Sequence, residues 1–63
     1  MNFEICKWYA LDPVTNVMKL ENGWIIESFG RDEDNTLGSI VFIPDPHHVN
    51  ERVFVIKHLE HIE

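Results

Sequence analysis

Apolar and polar positions alternate along the start of the chain. Phe3, Ile5, Lys7, Tyr9 and Leu11 fall on one side of an extended backbone, and Glu4, Cys6, Trp8 and Ala10 on the other. A period of two predicts a strand over residues 2–11, with two partly apolar faces. Asp12-Pro13 ends it, because proline has no N–H to donate and holds the preceding residue extended. Val14-Thr15-Asn16 then leads into V-M-K-L-E-N-G-W-I-I-E-S-F-G, residues 17–30, the segment around which the rest is organised. Asn22-Gly23 between two strand-forming runs predicts a tight type I′ hairpin turn, since both residues tolerate the positive φ that such a turn needs. With that turn, Leu20 faces Ile25 and Met18 faces Glu27. Met18, Leu20, Ile25 and Phe29 then share the predicted core face, and Val17, Lys19, Glu21, Trp24, Ile26 and Ser28 share the other. Trp24 and Ile26 make that second face too apolar for plain solvent, so another strand or another chain is expected over it.

The second half continues in strands. Residues 30–35, G-R-D-E-D-N, read as a solvated loop. Gly38–Ile43 is an unbroken apolar run that fits a strand buried on both faces or closed into a barrel. Two prolines so close together keep Pro44–Asn50 irregular, and Arg52–Lys57 is again β-branched and apolar, which predicts a strand paired with the previous one. His58–Glu63 reads as one helical turn that returns Ile62 to the sheet. With no repeat, low-complexity tract or internal boundary, residues 1–63 form a single domain. The expected fold is mainly all-β: a small, strongly bent five-stranded barrel of SH3-like or Sm-like type, with one short helical turn near the C-terminus.

Length and charge narrow what such a domain does. A chain of 63 residues buries only about 60% of its unfolded surface, so its core is marginal and gains from self-association. Cys6 is the one cysteine. A lone thiol, the absence of a basic secretory start and the lack of an apolar run of roughly 20 residues predict a soluble cytoplasmic protein without a membrane segment. Eleven acidic against five basic residues give a formal charge of −6, which opposes general attraction to phosphate backbones. The same charge suits an acidic inhibitor that competes with nucleic acid for a basic partner.

The segment L-E-N-G-W-I-I-E-S-F-G, followed later by V-F-V-I-K-H-L, resembles the bacterial Sm-like RNA chaperone (Hfq) family. There a strand, an Asn-Gly turn, an I-E-S-F stretch and a later strand ending in Lys-His follow one another. The resemblance covers about half the chain. It implies a bent five-stranded barrel, a ring-shaped homo-oligomer and uridine-rich RNA held near Lys57 and His58. The chain departs from the family in its strand-like start and in Arg31 and Asp32, which replace a Gln and an aromatic residue. The interval before Lys57 is also longer than the family's.

Candidate chemistry is sparse. His47-His48 and the pair His58 and His61 invite a metal reading, since imidazole suits zinc, copper and nickel. Adjacent histidines on an extended segment point apart, however, and Cys6 lies far off in sequence, so no metal site is assigned. Asp32-Glu33-Asp34-Asn35-Thr36 lacks the alternating ligands and later Glu of a calcium loop. No nucleophile elbow is present and Cys6 sits in an apolar run, which argues against an enzyme. Trp8, Tyr9 and Trp24 suit packing more than base stacking. The expectation is a non-enzymatic, cofactor-free binding or regulatory module that self-associates and engages a protein partner. Sm-like RNA binding through Trp24, Arg52, Lys57 and His58 is the alternative.

Overall fold

The computed structural model describes residues 1–29 and 38–63. The predicted polar loop and the acidic run at 32–36 lie outside the described residues. The chain is mostly β: strands β1 (Trp8–Asp12), β2 (Thr15–Leu20), β3 (Gly23–Phe29) and β4 (Gly38–Pro44) precede helix α1 (Glu51–Ile62). The strands form one antiparallel sheet in the order β1-β2-β3-β4. Asp12-Pro13 does end β1, and the Asp12 carboxylate accepts the Val14 N–H at 2.9 Å to close the first turn.

The central hairpin has a different turn and the opposite core. Leu20 pairs with Gly23 and Met18 with Ile25, so the loop is Glu21-Asn22, one residue earlier than predicted. Among the described residues only Cys6 and His48 have positive φ, so the turn is not type I′. Gly23 is needed for another reason: a Cβ there would strike the Ile43 carbonyl oxygen and lie 3.0 Å from the Phe42 ring. The two-residue shift preserves which residues share a face, since side chains alternate. It is the other face that is buried. Val17 and Trp24 are fully enclosed, with Phe3, Tyr9, Leu11 and Val55 around them. Met18, Leu20 and Ile25 are only half-buried. Trp24 brings the largest side chain and a hydrogen-bonding N–H to the inner face, and Asp45 is there to accept it.

The first predicted strand is shorter than its pattern. Cys6, at φ 63°, turns the chain, and residues before it form only a single bridge, Ile5 to Lys19. That turn tucks Phe3 beneath the sheet, where its ring stacks on Tyr9 at 4.0 Å. Gly38–Ile43 is a strand as predicted, but an exposed one: Ile40, Val41 and Phe42 are 67%, 54% and 48% accessible. The expected fifth strand is helical instead. Residues 51–62 hold neither glycine nor proline, and Phe54, Val55 and His58 come round to one side at helical spacing. A β-branched run has no fixed preference when a helix buries it equally well. The expected C-terminal turn is the end of this helix, and no fifth strand joins β1 to β4 among the described residues.

Candidate interaction surface

The inner side of the sheet is filled and its polar groups are engaged. Asp45, only 4% exposed, accepts Trp24 Nε1–H at 2.8 Å, the backbone N–H groups of Val49 and Asn50 at 3.0 Å each, and Asn50 Nδ2–H at 3.2 Å. Burial pushes its carboxyl pKa up, but the donors from Trp24, Asn50 and Val49 outweigh this and bring it down to about 2 from 3.8. This knot fixes the β4–α1 connection to the core. Glu51 likewise accepts Lys19 Nζ at 2.8 Å and the Phe3 N–H at 2.9 Å. Its burial raises the pKa, and those two partners reverse that into a net lowering. No buried side-chain polar atom lacks a partner among the described residues.

The residues predicted to bind are not brought together. Trp24 is fully buried with its indole N–H given to Asp45. His58 is half-buried, its Nδ1–H donating to the Ala10 carbonyl at 2.7 Å and its ring edge-on to Phe3 and Tyr9. Arg52 and Lys57 are exposed on α1, but five residues of helix turn them about 140° apart. His48 donates to the Leu20 carbonyl at 2.7 Å, while His47 and His61 are exposed. Among the described residues no three His, Cys, Asp or Glu side chains converge as a metal site. A cavity of about 410 Å³ lies beside Met1, Asn2, His48, Val49, Arg52, Val55, Ile56 and Glu51. Its carboxylate is already held by Lys19 and Phe3.

The open chemistry is on the outer face of the sheet. Trp8 pairs with Met18, Met18 with Ile25 and Ile25 with Phe42, so one apolar side chain from each strand lines up in a row across the sheet. Helix α1 lies on the opposite side, and Trp8 and Phe42 are 42% and 48% exposed. In the next row Ile40 lies beside Glu27 and Asn16, which hydrogen-bond to each other, and Leu20 extends the apolar row on the other side. Sequence reasoning missed Trp8 and Phe42 as surface residues because it assigned the core to this face. The alternation itself held the signal, since Trp8 falls opposite Phe3 and Tyr9. The central role of Asp45 was marked by its place between Pro44 and Pro46, where the backbone cannot supply regular hydrogen bonds.

No helix among the described residues is long and apolar enough to cross a membrane. Comparison of the chain with protein-family models, with curated proteins and with solved structures gave no match.

Proposed function

We propose that this chain is a non-enzymatic interaction module that works by associating with apolar protein surfaces, its own included. The observation that carries the reading is the row Trp8, Met18, Ile25 and Phe42, which runs across β1 to β4 and is uncovered by the described residues on the side away from α1. Contiguous exposed apolar surface on a small domain marks an interaction site. Aromatic residues and methionine are the types enriched in such interfaces. A core of six buried hydrophobic side chains among the described residues also leaves so small a domain much to gain from covering more surface. The RNA alternative rests on Arg52 and Lys57, and it draws no stacking surface from the enclosed Trp24 ring.

The two tryptophans supply the test. Trp8 lies on the outer face and Trp24 in the core. A protein partner docked on the row shields Trp8 from an aqueous quencher and shifts its emission to shorter wavelength. Trp8→Phe, which leaves only Trp24, shows no such change. Emission from the wild type that is unchanged by added protein partners contradicts the reading.

A further inference from the structure

We propose that β4 is the seam of a homodimer, pairing antiparallel with β4 of a second copy about a two-fold axis beside Val41. This rests on the association reading above and specifies where and in what register two copies meet.

The two edges of the sheet differ. β1 carries a register irregularity between Ala10 and Asp12 and has α1 packed against it, two of the devices that keep an edge from pairing. β4 has neither. Its register with β3 is unbroken from Gly23 opposite Pro44 to Phe29 opposite Gly38, and G-S-I-V-F-I-P holds no charged residue. Its side chains are open on both faces, Ile40 and Phe42 on the outer and Val41 on the inner.

Backbone direction limits the register, and the fit of Gly38 against Pro44 selects among those left. The Asp45 N–H donates inward to the Asn22 carbonyl at 3.0 Å, and the Ile43 carbonyl lies against Gly23. Hydrogen-bonding groups alternate along a strand, so Ser39, Val41 and Ile43 serve β3. Gly38, Ile40 and Phe42 direct their N–H and C=O groups out from the edge. Pro44 falls in the outward set, where its missing N–H costs the sheet nothing. An axis beside Val41 places Ile40 opposite Phe42 of the second copy, and each exchanges both backbone bonds with the other. Gly38 N–H then meets the Pro44 carbonyl, and the proline ring lies against a residue with no side chain.

The uncharged edge admits a second copy despite the net charge of the chain. The chain carries −6 overall, so copies repel where acidic residues meet, and β4 paired with itself sets no charge against another. An isologous two-fold makes the strands antiparallel without further adjustment.

The register is tested by cysteine cross-linking in a Cys6→Ser background. Val41→Cys places the new thiols directly opposite each other in a pair without hydrogen bonds between them, close enough for a disulfide. Ser39→Cys, on the same side of the strand, faces Ile43 of the second copy and serves as the control. The expected result is a cross-linked dimer forming at least about tenfold faster for Val41→Cys than for Ser39→Cys. Ile40→Pro, which removes an outward donor and leaves the β3 ladder whole, is expected to be a folded monomer by circular dichroism and sedimentation. Equal or absent cross-linking at Val41 in a wild type that still dimerises overturns the seam and leaves the association reading standing. A wild type that is monomeric throughout the micromolar range overturns both.

Discussion

Single residues do unequal work in this fold, and Gly23 shows why the kind of constraint matters. Its φ is not positive, so its role is space: an added Cβ meets the Ile43 backbone oxygen. Gly23→Ala is expected to cost about 1–3 kcal/mol in denaturant melts, the usual penalty of overpacking. Asn22→Ala, at an exposed position whose φ is ordinary, is expected within about 0.5 kcal/mol of wild type. The reverse order would restore a left-handed turn. Asp45 makes a second residue-scale prediction. Its pKa is depressed to about 2 from 3.8, so its contribution is fully present above pH 3.8 and is lost as pH falls through about 2. Asp45→Asn should lower the urea midpoint at pH 7 and flatten its decline over that acid range. An unchanged acid limb in the variant would show that the carboxylate is not what the Trp24 and Asn50 donors stabilise.

At the scale of elements, β1–β4 were legible as strands and α1 was not. Strand-forming runs around Asn22-Gly23 located β2 and β3 closely, an unbroken apolar run located β4, and Asp12-Pro13 marked the end of β1. Side-chain parity also survived a misplaced turn, because a shift of two residues leaves every side chain on its own face. Which face became the core depended on Phe3 and Val55, residues remote in sequence, and on Asp45 accepting the Trp24 indole. Local pattern carries no record of that. The run V-F-V-I reads as strand, yet it lies in twelve residues free of glycine and proline, and tertiary packing decides between helix and strand there. Val53, 51% exposed, gives the check: in a helix Val53→Ala raises stability by up to about 0.5 kcal/mol, whereas in a strand it lowers it. The helix is tied to the sheet by Lys19 and Glu51, whose side chains are 14% and 17% exposed. Lys19→Ala removes a largely buried charge partner and is expected to cost about 1–3 kcal/mol at neutral pH. That cost should shrink in acid as Glu51 is protonated.

For the whole molecule, the arrangement of layers decides the function proposed. Among the described residues one sheet with one helix on a single side gives a body only 16 Å through its shortest dimension, and nothing among them covers the second side of the sheet. Apolar residues line α1 outward as well, with Val53, Ile56, Leu59 and Ile62 recurring every third position and all exposed. A lone domain of this size gains by burying such surface, while its acidic charge keeps it soluble and selective about which surfaces meet. The central claim is that this chain works by association. Sedimentation velocity over the micromolar range at physiological salt tests it most directly. The account predicts a weight-average coefficient that rises with concentration towards that of a dimer, and a lower coefficient for Ile40→Pro at equal concentration. A monomer value that stays constant across the range, identical in both proteins, would contradict it.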